Sequence, residues 1–367
     1  MHGIGWSVAH SRGFRITLTI QIREADLNRD GAQIADALSK YLIPLADSPR
    51  FEWLYKRNPN GKARAWLALD NDDVIATGAV FPRRVYFNKT QIIAWVLGDF
   101  CVSDRHRTLG TAVALQRTLL QASDASGVPI SYDFPSAAMT AVYKRLKIEP
   151  FGQMIRMARV LRVDRKLRER IGYEWLAKVL SPVGNALLGA AAAAFQPTVD
   201  KTLKVSLQQH KCGTEFDALA NRVGMNFDFC VRRSADYLNW RYLDNPYKRH
   251  ELMTARREES LLGFVVFSQN GLDGEIVDLF GEDDDGVIDR LIIEVVELFR
   301  RRGLITVSTE LIASHPWAER FRKLGFYPRE SKPFIVCGSS ESAGAFAEQG
   351  VLLPHQSWFI TGGDRDS

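Results

Sequence analysis

The sequence predicts an α+β protein made of two like halves, each a twisted mixed β-sheet flanked by helices, joined by a helical linker. Three observations carry this reading. A run rich in β-branched and aromatic residues from Ile92 to Val102 breaks at Ser103-Asp104-Arg105-His106 and resumes as a helical pattern from about Gly110, as a buried strand feeding a helix would. Two short β-rich segments, Ala65–Leu69 and Val74–Phe81, flank the Asp/Asn-rich stretch Asp70–Asp73 and read as a hairpin. Finally, Trp53-x-Tyr55-x-x-Asn58-Pro59 recurs as Trp240-x-Tyr242-x-x-Asn245-Pro246, so the chain restarts its own pattern.

In chain order, Ile16–Ile22 alternates apolar with Thr and Gln residues and reads as a strand, followed by an amphipathic helix from about Asp30 to Tyr41. Ser48-Pro49 opens a second, short helix, with Pro tolerated in the first turn, and Asn58-Pro59-Asn60-Gly61 ends it. The hairpin, the Ile92–Val102 strand and its helix follow. Ile130–Phe134 is a further strand, Pro135-Ser136 opens a helix to about Lys147, and Met154–Val163 closes the half. Residues 165–195 read as two linker helices broken at Pro182. Beyond Pro197 the echoes are Leu203–Leu207 for the first strand, Glu215–Val223 for the first helix, a hairpin with Gly263 in the place of Gly78, and Phe321-Arg-Lys-Leu324 for Tyr143-Lys-Arg-Leu146. The resulting division is 1–163, a linker 164–200, a second half 201–340, and a tail 341–367 that brings a final strand.

Composition narrows the function classes. The 367 residues are 46% hydrophobic and 25% charged, which is globular. The net charge of +5 is local, because 143–172 holds ten Lys or Arg against three acids. That argues against a uniform nucleic-acid surface and leaves a basic patch suited to anions. Four cysteines (Cys101, Cys212, Cys230, Cys337) have neither CxxC nor paired spacing, so no disulfide framework or metal site is expected. The N-terminal residues are broken by Arg12 and Arg15 and do not read as a signal peptide, and no run of eighteen apolar residues occurs. A reducing cytoplasm fits best. The basic and apolar faces of 165–195 suit an inter-domain linker or a weak membrane-surface contact. Nothing in the sequence sets an oligomeric state.

The loop between the organising strand and its helix reads Arg107-Thr108-Leu109-Gly110-Thr111-Ala112, or R-x-x-G-x-A. A helix N-terminus presents unpaired backbone N–H groups and the positive end of its dipole, which suits a diphosphate. Gly110 lets the backbone approach closely, and Ala112 keeps the first turn uncluttered. In this strand–loop–helix context, the segment resembles the acyl-CoA pyrophosphate loop of the GNAT acyltransferase superfamily, [QR]-x-x-G-x-[GA]. The element order of the first half is also similar to that family's.

The resemblance implies an N-acyltransferase that binds acetyl-CoA or another acyl-CoA as co-substrate, needs no metal, and acts on a small-molecule amine. It places the pantetheine arm along the backbone of Phe100, Cys101 and Val102. The phosphates would lie among Arg105, His106, Arg107, Thr108, Leu109, Gly110, Thr111 and Ala112. Tyr143 stands where many members keep a Tyr that protonates the departing thiolate; a core aromatic spaced with Met139 and Leu146 is the other reading. Asp99, in mid-strand, is the expected general base, with Asp133 the alternative and a structural acid the plainer reading of either. Cys101 reads as a buried small hydrophobe in preference to a nucleophile.

The second half carries Glu282-Asp283-Asp284-Asp285-Gly286 where the first has its Arg-Gly loop, and Phe321 in place of Tyr143. Those carboxylates would repel a diphosphate, so this copy is expected to complete the acceptor cleft. Two GNAT-like halves with one site are similar to the Fem-type peptidyltransferases and to GNAT-like proteins associated with surface polysaccharides. The closing Trp358–Asp364 segment also resembles the tail of that group. The resemblance favours an amino-sugar acceptor. A Fem-type transferase using aminoacyl-tRNA, and a non-catalytic binding protein, are the alternatives.

Overall fold

The computed structural model describes residues 20–43, 48–107, 109–162, 202–283, 286–338 and 357–365. The expected first strand is met from Ile20 onward, as β1 (Ile20–Glu24), while the linker helices, Thr108 and Asp284-Asp285 lie outside the described residues.

β1 pairs antiparallel with β2 (Arg64–Asp70), and β2 with β3 (Asp73–Phe87). β3 runs well beyond the expected end at Phe81. Its Pro82 falls after β2 pairing stops at Val80 and before pairing with β8 (Phe229–Val231) starts at Val85, where one edge is unpaired. A tight turn at Asn88 and Lys89, both with positive φ (47° and 63°), leads into β4 (Thr90–Val102). Helix α1 (Gly31–Tyr41) buries Ile34, Ala37 and Leu38. The four-residue α2 (Ser48–Phe51) widens into a π-turn over Glu52–Lys56, which buries Trp53, Leu54 and Tyr55 together. Helix α3 (Leu109–Ala125) packs Leu115 and Leu119 into a smaller core with Trp66, Val80 and Trp95. β5 (Ile130–Asp133), α4 (Ala137–Arg145) and β6 (Gly152–Val160) follow, and the Ser136 side chain caps α4 by accepting from the Met139 N–H.

The second half runs through β7 (Leu203–Leu207), α5 (Thr214–Gly224), β8, and α6 (Ala235–Leu238) with a π-turn over Asn239–Leu243. It continues with β9 (His250–Arg257), β10 (Ser260–Asn270), β11 (Asp273–Gly281), α7 (Val287–Arg301), β12 (Thr306–Ile312), α8 (Ala318–Lys323) and β13 (Tyr327–Gly338). The helix-to-π-turn unit carrying Trp53 and Tyr55 is thus repeated around Trp240 and Tyr242.

Instead of one sheet per half, a single mixed sheet runs through the molecule in the order β1-β2-β3-β4-β5-β13-β6-β12-β11-β10-β9-β7. The cause is β13. Its Ile335–Gly338 pairs with β5, and its Tyr327–Phe334 pairs with β6, so it bridges the halves. β6 in turn lies between β13 and β12. Off this path, β14 (Trp358–Phe359) pairs with β8. Between the two π-turns, Trp53 and Trp240 stack with ring centroids 5.3 Å apart. Each indole N–H donates to the other's backbone carbonyl, at 2.8 and 2.9 Å.

Candidate active site

β4 and β5 are parallel neighbours whose ladder consists of Trp95↔Ser131 and Val96↔Tyr132, after which β5 ends at Asp133 while β4 continues to Val102. Above this split lies a cleft of about 280 Å³. Leu97–Phe100 of β4 forms one wall, Gln116 and Leu119 of α3 a second, and Asp133 through Met139 the third, with Leu42 and Ile43 at the α1 end. A parallel pair that parts in mid-sheet leaves backbone groups along the longer strand for a ligand.

The strand wall is kinked at the cleft. Thr77 pairs with Cys101 and Ala79 with Gly98, so Asp99 and Phe100 together stand opposite Gly78, a β-bulge. Asp99 adopts a left-handed conformation, φ 47°. A Cβ on Gly78 would lie 2.9 Å from the Phe100 ring and 3.2 Å from Leu119, so glycine lets that ring settle against α3.

Asp99 lines the cleft, but its carboxylate is engaged. Arg50 donates to both oxygens at 2.7 Å, and the Tyr55 hydroxyl donates to Oδ2 at 2.8 Å. All three residues are buried. The carboxylate expected to serve as general base is thus bound on both oxygens by Arg50 and on Oδ2 by Tyr55, the contacts of a hydrogen-bonded structural acid. Burial, with Asp99 adding to it, pushes the Tyr55 phenol well above its ordinary range.

Tyr143 does not line the cleft; its side chain is buried behind it. Its hydroxyl donates to Asp133 Oδ2 at 2.6 Å and accepts from Gln116 Nε2 at 3.0 Å. Burial first, and the Asp133 charge second, push this phenol well above its ordinary range. Asp133 and Gln116 both line the cleft, so Tyr143 reaches it through them.

The loop residues divide. Cys101 and Val102 are buried in the ladder; burial raises the Cys101 thiol to about 12, and its Sγ contacts the Ala37 carbonyl oxygen, which fits the small-hydrophobe reading. Leu109 and Gly110 at the start of α3 are exposed, Ala112 is half-buried and Thr111 is buried. Arg107 is exposed and forms a surface pair with Asp104 at 3.0 Å. Arg105 and His106 lie elsewhere, on the wall of a wider recess of about 560 Å³ toward α1 and the Asp72-Asp73 turn. There His106 is tethered by Ser103 Oγ at 2.9 Å and Asp70 at 3.4 Å. Arg50 and Gln116 were missed from sequence. Tyr55 sat in the repeated motif as a marker of duplication, with nothing to show its contact with Asp99.

The second half repeats part of this arrangement. The Tyr242 hydroxyl donates to Asp278 Oδ2 at 2.9 Å, as Tyr55 does to Asp99, and Arg233 holds Asp278. Arg233 also holds Asp364 of the closing segment, and all three groups are buried. Phe321, which the sequence echo sets against Tyr143, is buried. Among the described residues, no group of three or more His, Cys, Asp or Glu is arranged to hold a metal ion. No helix among them is long and apolar enough to cross a membrane.

Residues 26–150 match the family model described as Acetyltransferase (GNAT) domain. No curated protein matches this chain. Among solved structures, a conserved protein of unknown function from Enterococcus faecalis V583 superposes with a TM-score of 0.62 at 10% identity, over 89% of this chain and 74% of that one. A GCN5-related N-acetyltransferase from Anabaena variabilis gives 0.61 at 12%, over 86% and 72%. Eis1 from Mycobacterium abscessus gives 0.58 at 12%, over 88% and 74%. At these identities the likeness is one of fold, and it extends well past the matched domain. Over residues 26–150, where the split strands and the loop lie, the chain carries a GNAT acetyltransferase domain, and the protein is an acyltransferase.

Proposed function

We propose that this protein is an acyl-CoA-dependent N-acyltransferase, with acetyl-CoA as the reference donor and a small amine, of the amino-sugar class, as acceptor. The observation that carries the reading is the parting of β4 and β5 directly beside the bulge, with the open start of α3 beyond Val102. The residues present fit a CoA thioester. The backbone of Phe100–Val102 would hold the extended arm, while Arg107 and the N-terminal turn at Leu109–Ala112 would meet the diphosphate. Arg105 and His106, facing the neighbouring recess, are assigned to the rim of that site.

The thioester supplies an activated acyl carbon. The chain's residues would orient it, exclude water and move protons. In the overall transfer an N–C bond forms and the C–S bond breaks; the amine loses one proton and the thiol sulfur gains one. We assign the proton acceptor to Asp133, which lines the cleft and carries the Tyr143 hydroxyl at 2.6 Å. Tyr143, steadied by Gln116, stands beside it as the group through which a proton returns toward sulfur. Asp99 is read as a positioning residue.

We further read the chain as a tandem pair with one reactive cleft, in line with the recurring helix-to-π-turn unit, the Phe321 replacement and the acidic Glu282-Asp283 loop. The boundaries 1–163 and 201–340 are proposals of the same reading. The test is thiol release from acetyl-CoA across a panel of amine acceptors, alongside the thermal shift produced by CoA. Arg107→Glu should abolish the shift; an unchanged shift, or none in the parent, would overturn the assignment.

A further inference from the structure

We infer that the Arg50–Asp99–Tyr55 cluster is a clamp that holds the β4 bulge in its left-handed kink, so that the peptide groups of Asp99–Phe100 face the thioester carbonyl. The inference rests on the acyl-CoA reading above and deepens it, because it names what keeps the reactive strand in register.

A residue with a side chain at positive φ is sparsely populated, and costs about 1–3 kcal/mol unless its surroundings over-determine it. Asp tolerates that region better than most residues but does not choose it in mid-strand. Here the surroundings are unusually complete. Two 2.7 Å bonds from one guanidinium and one 2.8 Å bond from a phenol converge on the Asp99 carboxylate, with all three side chains out of solvent. Charge-assisted, bidentate contacts of this kind fix orientation as well as contribute energy. The clamp also reaches across the sheet layer. Arg50 and Tyr55 belong to α2 and its π-turn, so the element that follows the cleft's Leu42–Ile43 rim is tied to the strand that carries the bulge.

The second half supplies an internal control. Tyr242 donates to Asp278 as Tyr55 does to Asp99, yet Asp278 is not among the residues with positive φ. A buried Tyr–Asp–Arg cluster therefore does not by itself demand a left-handed residue. β11 is likewise bulged beside Asp278, at Val277, and pairs with β12 only as far as Ile276, so a parting and a bulge recur in the second half and what is particular to the first is the left-handed residue held by its carboxylate.

A general base at Asp99 and a positioning role make opposite predictions for three substitutions. Asp99→Asn keeps the shape and the tolerance of positive φ, Asp99→Gly keeps only the backbone freedom, and Asp99→Ala keeps neither. The clamp predicts graded activity, Asn above Gly above Ala. We expect kcat to fall about tenfold for Asn and about a hundredfold or more for Ala. KM for acetyl-CoA should stay within about threefold, and the acidic limb of the pH–rate profile should not move in the Asn variant. Equal loss in all three, or a displaced acidic limb in Asp99→Asn, would overturn the clamp. Arg50→Lys separates the cases further: a clamp loses its bidentate grip and kcat falls with the acidic limb unmoved, whereas a base at Asp99, losing the guanidinium from its two oxygens, would have that limb displaced. All variants are compared by CoA-induced thermal shift, so that a misfolded protein is recognised before its rate is read. If the parent releases no thiol from acetyl-CoA with any acceptor, the acyl-CoA reading itself fails; if it does and the series is flat, only the clamp fails.

Discussion

Replacing Trp240 by Ala should be among the most damaging single changes in the molecule, and more damaging than the matching change at Trp53. Both rings are about 95% buried, and each indole N–H is satisfied by the other's carbonyl. Truncating a buried Trp costs about 3–5 kcal/mol. The stacked geometry adds about 0.5–1.5 kcal/mol that belongs to the pair and to neither ring alone. The asymmetry comes from Arg83. Its guanidinium is fully buried 5.3 Å from the Trp240 ring, it donates to the Pro82 carbonyl, and among the described residues its Nε and Nη2 meet no hydrogen-bond partner. Removing Trp240 strips the face over that cation, a further loss of about 2 kcal/mol in a desolvated setting. Arg241 over Trp53 lies at 6.0 Å and keeps two backbone carbonyls, so it loses less. The assay is urea unfolding followed by fluorescence and by far-UV circular dichroism, comparing midpoints for Trp53→Ala, Trp240→Ala and the double variant. The expected order is Trp240→Ala below Trp53→Ala, with the double variant milder than the sum of the two by at least about 1 kcal/mol. Strict additivity, or equal single effects, would refute the claim that these rings form one unit over Arg83.

Other outcomes follow from the same contacts. Asp133→Asn should lower kcat about a hundredfold or more with little change in CoA affinity, read by thiol release and by thermal shift; a loss below about fivefold would remove it from the chemistry. Gly363→Ala should destabilise the protein by about 1–3 kcal/mol, measured by thermal unfolding, because the new methyl would overlap the Tyr242 hydroxyl and crowd the Val277 carbonyl. Burial holds His315 neutral, its pKa lowered to about 3. Since the unfolded chain takes up that proton near 6.5, stability contributed by the neutral ring is full above about pH 6.5. It then falls by up to about 1.4 kcal/mol per pH unit toward pH 3. His315→Gln should flatten the decline in unfolding midpoint between pH 6.5 and 4, and an unchanged slope would contradict it. With their thiols raised to about 12, Cys101 and Cys230 should resist a thiol-specific chromogenic reagent at pH 8 in the native protein and react only on unfolding.

Much of the fold was legible because its signals are local. The Ile92–Val102 run, the caps around Ser136 and the Trp-x-Tyr repeat each follow from spacing along the chain, and the elements formed there match the expectation within a few residues. The continuous sheet was not legible. No strand is read over Tyr327–Gly338, the last one being expected in the tail, and nothing in that segment announces that its two ends pair with different strands of the first half. The site shows the same division. The turn from β4 to α3 could be placed because its chemistry is written in consecutive residues. The engagement of Asp99 could not, since Arg50 and Tyr55 lie 49 and 44 residues away and meet it only through the α2 π-turn. The burial of Tyr143 behind Asp133 likewise depends on how α4 packs against α3, which no periodicity reports.

The most direct measurement is a crystal structure of the protein grown with CoA. The pantetheine arm should lie between β4 and β5 beside the Asp99–Phe100 bulge, with its diphosphate on the N-terminal turn of α3 near Gly110. CoA bound instead in the half that carries Asp278, or the β4–β5 cleft empty at millimolar CoA, would contradict the account.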